Sequence, residues 1–252
     1  MTNKNPSPLS LAGRTALITG ASRGIGAAVA RAYAAAGAHV ILLARTTGGL
    51  EAADDAIRAS GGKATLMPMD LRELDKIDML GPSIAQRFGG LDIFVGAAGM
   101  LGTLTPLGHA DAKEWDRVMA VNLSANFRLI RTLDPLLRAS GSGRAILVTS
   151  GMAHICEAYW GAYATSKAAL EALAKTWAAE TAKTKLRVNL LSPGIVDTAM
   201  LKQAYPGGYQ GPKAQPEDIT PAFLDLASPS CTRHGEIVSA QSPAFIDRAV
   251  AR

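Results

Sequence analysis

The chain has 252 residues, 48% of them hydrophobic and 19% charged; this suits one large α/β domain with a sizeable core and excludes a disordered chain. Its net charge of +5 comes from scattered basic residues, with no run of five Lys or Arg, so neither a nucleic-acid surface nor a base-stacking face is expected. No stretch approaches the ~18 apolar residues of a membrane span, the N-terminus lacks an apolar signal core, and Cys156 and Cys231 lack the spacing of a disulfide framework or metal site. A cytoplasmic protein that needs no metal is the expectation.

In chain order, residues 1–12 read as a loose leader. Thr15–Thr19 is a short apolar strand that runs into glycines, and a helix follows from about Ile25 to Ala36, stopped by Gly37. His39–Ala44 reads as a second buried strand, and a helix from about Leu50 to Ser60 ends at Gly61-Gly62. Ala64–Met69 is a third strand whose internal proline places it near a sheet edge. Leu91–Val95 is a strand, and Asp111–Leu137 holds one or two helices. Ala145–Thr149 is a strand, Tyr163–Thr181 a helix, Arg187–Leu191 a strand, and Gly235–Ser239 a last short strand. Continuously apolar strands alternating with helices predict a single doubly wound, Rossmann-like domain, with a parallel sheet of about seven strands covered on both faces. Residues 198–215, rich in Pro and Gly, are expected to be a mobile substrate loop, and 240–252 a C-terminal tail.

Two local patterns suggest chemistry. Thr19-Gly-Ala-Ser-Arg-Gly-Ile-Gly26 joins the first strand to the first helix. Its glycines, Gly20, Gly24 and Gly26, permit a tight turn and close approach of a pyrophosphate to a helix N-terminus. An acid that would hold the ribose 2′-hydroxyl of NAD is missing at the end of the second strand, where Ala44-Arg45-Thr46 stands. Arg45 and Arg23 can flank a 2′-phosphate, so NADP(H) is the preferred cofactor and NAD(H) the lesser one. The second pattern is Tyr163 and Lys167, four residues apart on one helical face. A nearby ammonium favours the phenolate, so the pair is expected to form an acid/base with a lowered tyrosine pKa.

These motifs, taken in order, resemble the short-chain dehydrogenase/reductase family from Leu11 to about Ser239. The turn motif is Thr19 to Gly26. The family's Asn-Asn-Ala-Gly appears as Gly96-Ala97-Ala98-Gly99, with both asparagines lost. Asn122, Ser150 and the Tyr163-x-x-x-Lys167 pair match the family's catalytic positions, and Pro193-Gly194 its conserved turn after the sixth strand. The resemblance implies that Tyr163 exchanges a proton with the substrate oxygen, Ser150 orients that oxygen, Lys167 holds the nicotinamide ribose, and Asn122 holds a water. It also implies cofactor contacts from Ser22, Arg23, Ile25 and the three turn glycines, from Asp70 and Leu71 at the adenine, and from Gly96, Ala97, Ala98 and Gly99 along the ribose. Pro193, Gly194, Ile195 and Thr198 would lie near the carboxamide.

The implied activity is interconversion of a ketone and a secondary alcohol on a largely apolar small molecule, with 3-oxoacyl compounds among the candidates. The implied assembly is a homodimer through the Tyr163 helix and the Asp111–Leu137 helices, or a homotetramer. The segment Met152–Trp160, with Met100, Leu101 and the loop from Met200 to Tyr209, is expected to wall the substrate, with His154 and Glu157 either adding a polar contact or, more in keeping with their type, facing solvent or capping a turn. The alternative is a non-catalytic dinucleotide-binding sensor or scaffold, which would have no need of the serine, tyrosine and lysine all present here.

Overall fold

The computed structural model describes residues 9–241. Strand β1 (Thr15–Thr19) leads through the glycine turn into α1 (Gly24–Ala35). Next come β2 (His39–Ala44), α2 (Thr47–Ala59) and β3 (Lys63–Pro68). Two short helices, α3 (Leu74–Asp78) and α4 (Leu80–Phe88), precede β4 (Ile93–Gly96). Helices α5 (Ala112–Met119) and α6 (Ala125–Ala139) are joined without a break by a π-helical turn over Ala120–Ser124. Strand β5 (Arg144–Val148) is followed by α7 (Met152–Ile155), the long α8 (Gly161–Thr181) and β6 (Arg187–Ser192). Helices α9 (Ala199–Ala204) and α10 (Thr220–Ala227) come before β7 (Ile237–Ser239).

All seven strands are parallel, in the order β3-β2-β1-β4-β5-β6-β7. Side chains alternate across each strand, and this divides the core in two. Ile18, Leu42, Val95 and Ile146 pack with Tyr33, Ile57 and Phe223 on one face. Leu17, Ile41, Phe94 and Leu147 pack with Ile84, Leu129, Leu133 and Trp177 on the other. Strand order reverses between β1 and β4. A crevice outside the carboxyl ends of such strands is where open α/β sheets bind ligands.

Three expectations need correction. The leader does not extend to residue 12: Leu11 is fully buried and its N–H donates to the Ala36 carbonyl at 2.8 Å. The loop expected at 198–215 carries α9, and an isolated parallel bridge pairs Val196 with Ala214. Helices α3, α4 and α10 were absent from the sequence reading. Most of the expected C-terminal tail lies outside the described residues, but Gln241 donates to the Ile195 carbonyl at 2.9 Å and ties the Pro193-Gly194-Ile195 turn.

Candidate active site

At the carboxyl end of β1 the chain turns so tightly that side chains are excluded. A Cβ on Gly26 would lie 2.3 Å from the Gly20 carbonyl oxygen, and one on Gly20 would lie 2.9 Å from the Ala98 backbone. Gly20 also has φ +68°, the left-handed region that glycine enters without strain. No side chain caps the N-terminus of α1 and no acid stands in its first turn. Its free N–H groups and dipole therefore suit a pyrophosphate, so the residues present fit a dinucleotide. Arg23 and Arg45 are exposed at this edge. Asp70 is gripped by Arg72, Nη2 to Oδ2 at 2.6 Å, and this bond holds its carboxyl below the usual range, with a smaller contribution from Arg45. A third arginine, unmarked by any sequence motif, thus stands with Arg45 near Asp70. Thr198 has two roles: its hydroxyl caps α9 by accepting from the Leu201 N–H at 3.2 Å, and its methyl lies over Gly24.

Asn122, Ser150, Tyr163 and Lys167 converge at the carboxyl ends of β4 and β5. The π turn aims Asn122 inward and buries it completely. Its side chain accepts from the Met100 N–H at 2.8 Å and donates to the Met100 carbonyl and to Ser166 Oγ, both at 2.9 Å. Those bonds leave its backbone carbonyl as the group that can meet a water, and that oxygen already accepts from Asn126 at 2.9 Å. Lys167 Nζ donates to the Val148 carbonyl at 2.8 Å and lies 5.8 Å from the centre of the Tyr163 ring. Around Gly99, a Cβ would find Asn122 Oδ1 at 3.6 Å, with Lys167 Nζ and the Met200 methyl each at 3.7 Å.

The electrostatics differ from the expected lowering of the tyrosine pKa. Burial pushes the Tyr163 phenol up, opposed by its hydrogen bond with Ser150. Burial likewise lowers the Lys167 ammonium to about 8. Desolvation disfavours both charged forms and is the largest influence on each group.

Three segments close the mouth. Tyr159 accepts from the Thr105 N–H at 3.1 Å, and Gln203 donates to the Gly102 carbonyl at 3.3 Å. Aromatic rings continue outward from Tyr163: Trp160 meets it edge-on at 5.9 Å, Tyr205 lies 6.3 Å from Trp160, and Tyr209 lies 5.1 Å from Tyr205.

A family model described as short chain dehydrogenase matches residues 14–207. The chain belongs to the short-chain dehydrogenase family. It is 36% identical over 216 residues to the oxidoreductase YciK of Escherichia coli K12, covering 84% of this chain and 85% of that one. A short-chain dehydrogenase structure from Pseudomonas syringae superimposes with TM-score 0.89 at 38% identity, covering 96% and 100% of the two chains. Another, from Escherichia coli CFT073 and complexed with NADPH, does so with TM-score 0.89 at 35% identity, covering 94% and 100%. This short-chain dehydrogenase is accordingly an NAD(P)-dependent oxidoreductase acting on CH–OH and C=O groups.

The family's lost asparagines are replaced by other groups. The N–H groups of Ala97 and Ala98 both donate to Thr19 Oγ1, at 3.1 and 3.2 Å, which braces β4 against β1. Asn126 Oδ1 lies 2.9 Å from where a Gly96 Cβ would stand. An amide on α6 thus stands beside the strand. His154 does not simply face solvent: its Nε2 lies 3.0 Å from the buried Glu171 carboxylate. No sequence motif marks Glu171 or Asn126, and the turn motif that begins at Thr19 says nothing of its bonds to Ala97 and Ala98; a buried polar side chain shows these only through its partners in space.

Proposed function

We propose that this short-chain dehydrogenase uses NADP(H) to interconvert a ketone and a secondary alcohol on a largely apolar, ring-bearing small molecule, with reduction as the working direction. The observation that carries the reading is buried Lys167, whose Nζ lies 5.8 Å from the centre of the Tyr163 ring and bonds the Val148 carbonyl two residues before Ser150. The cofactor would be held by the glycine turn, with Arg23 and Arg45 at the 2′-phosphate, and supplies hydride when bound. The NADPH complex of a similar structure and the NADP complex of another from Shigella flexneri support that choice. The aromatic series from Trp160 to Tyr209 supports a flat apolar body.

Tyr163 donates its phenolic proton to the substrate oxygen as negative charge grows there. Ser150 points a second donor at the same oxygen, and both are worth most in the transition state. Lys167 offers ammonium N–H groups to ribose hydroxyls and passes on to Tyr163 a proton that enters from bulk through a water on the Asn122 carbonyl. A phenol kept protonated suits the acid role, so ketone reduction should proceed at neutral pH. Alcohol oxidation should accelerate as pH rises toward the elevated Tyr163 pKa. Copies are proposed to pair through α8 and the α5–α6 face, where Phe127 is 46% exposed.

The test is NADPH oxidation across a panel of aromatic, alicyclic and aliphatic ketones and acyl thioesters, repeated with NADH. Turnover highest with ring-bearing ketones and NADPH is expected. No turnover on any member, or a preference for NADH, would overturn the reading.

A further inference from the structure

Helix α8 presents Tyr163, Lys167 and Glu171 at successive spacings of four, so all three occupy one face. Each engages one of three consecutive residues at the end of β5. Lys167 Nζ donates to the Val148 carbonyl at 2.8 Å. Thr149 Oγ1 donates to Glu171 Oε1 at 2.6 Å. Ser150 stands close enough to Tyr163 to oppose the upward shift that burial gives the phenol. The second oxygen of Glu171 lies 3.0 Å from His154 Nε2, on the short helix α7 that starts two residues after Ser150. One buried carboxylate therefore holds the residue before Ser150 and the helix after it. A buried carboxylate is costly unless its partners are fixed, and apolar packing at this position would need none of these bonds.

We propose that Glu171 is a positioning residue that sets the Ser150 hydroxyl against Tyr163 by clamping Thr149 and α7. The proposal rests on the reading that Ser150 and Tyr163 carry turnover. The mechanism is geometric. A hydroxyl aimed at a reacting oxygen loses much of its worth when displaced by about 1 Å, a shift that can lower rate about 100-fold. Glutamine keeps an acceptor for Thr149 and adds an amide that can donate to His154, whereas leucine keeps only bulk.

The test compares wild type with Glu171→Leu and Glu171→Gln. With a ketone that the wild type reduces, Glu171→Leu should lower kcat by about 100-fold and leave the NADPH dissociation constant nearly unchanged, measured where the variant is fully folded. Glu171→Gln should restore most of kcat. A second measurement needs no substrate: the Tyr163 phenol is titrated by NMR in protein carrying 13C-tyrosine, with Tyr163→Phe identifying its signal. Withdrawal of the Ser150 hydroxyl in Glu171→Leu should raise the Tyr163 pKa further, and Glu171→Gln should not. An unaltered Tyr163 titration in Glu171→Leu overturns the proposal, as does a kcat loss that glutamine fails to rescue. If wild type reduces no ketone while the titration moves as expected, the proposed activity fails and the positioning role stands.

Discussion

The two ends of the parallel sheet both bury cations and use them in opposite ways. At the amino end, Arg144 opens β5 and directs its guanidinium at five carbonyl oxygens, those of Gly143, Lys185, Ser228, Pro229 and Cys231. Arg14 beside it bonds the carbonyls of Asp92, Ser142 and Ala227. At the carboxyl end, Lys167 gives one bond, to Val148. Burial lowers Arg144 to about 10 and Lys167 to about 8. The penalty is of one kind, but a planar fork with many acceptors fastens the chain after α10 to the sheet. An ammonium with a single acceptor keeps donors for something that is not protein. The amino end is built for stability; under the proposed function, the carboxyl end tolerates a cost to stability for the sake of chemistry.

Breaking the chemistry without touching either cation should give the largest effect. Tyr163→Phe removes the proton donor and should lower kcat by about 10²–10⁴-fold, with NADPH affinity unchanged by fluorescence titration. Retained turnover would place the acid elsewhere.

The arginine end should answer in stability alone. Arg144→Met leaves carbonyl oxygens without their donor, a loss on the order of 3 kcal/mol in urea melts. Arg144 lies four residues before Val148 on β5, about 13 Å along the strand, so kcat of the folded variant should equal that of wild type. A large fall in kcat would mean that the two ends are coupled.

Lys167→Met should do the reverse. At pH 7 the lysine is charged in both folded and unfolded chains, since 7 lies below both about 8 and 10.5. The folded protein there carries the whole burial penalty. Between pH 8 and 10.5 the unfolded chain binds the proton more tightly, so wild-type stability climbs with pH through that window. Removing the ammonium should therefore stabilise the protein at pH 7 by up to about 3 kcal/mol, and the gain should shrink by pH 10. The same variant should lose turnover and bind NADPH more weakly. Destabilisation at pH 7 would show that the Val148 bond outweighs the desolvation.

This contrast also explains what could be read from the sequence. The strands were legible because buried parallel strands are continuous apolar runs bounded by glycine. Two patterns of the candidate site were legible because their spacings are local: Lys167 is one helical turn from Tyr163, and Gly20 to Gly26 lie in one turn. The arginine end was not. Arg144 looks like a polar strand start, and the Ser228 and Pro229 carbonyls that bury it lie 84 and 85 residues away. Glu171 looks like the polar side of an alanine-rich helix until β5 delivers Thr149. Helices α3 and α4 are short, and Gly81-Pro82 inside α4 reads as a break, although proline is tolerated in a first turn. The lowered tyrosine pKa was expected from spacing alone, and spacing carries no information about desolvation.

A third cation sharpens the comparison with the smallest effect. Arg45 stands at the carboxyl end of β2, exposed, and so carries no burial penalty and holds no strand in place. Its removal should change only which cofactor binds. Arg45→Asp puts a carboxylate where a 2′-phosphate would lie, and should weaken NADPH about 10-fold, equivalent to about 1.4 kcal/mol, while favouring NADH. The melting temperature should stay at the wild-type value, because exposed charges contribute little to stability. Equal weakening of both cofactors would mean that Arg45 acts on the shared pyrophosphate, and would leave Arg23 and Arg72 to read the 2′ position. An unchanged preference would assign Arg45 to the surface, and the carboxyl end would then hold its functional charge in buried Lys167 alone.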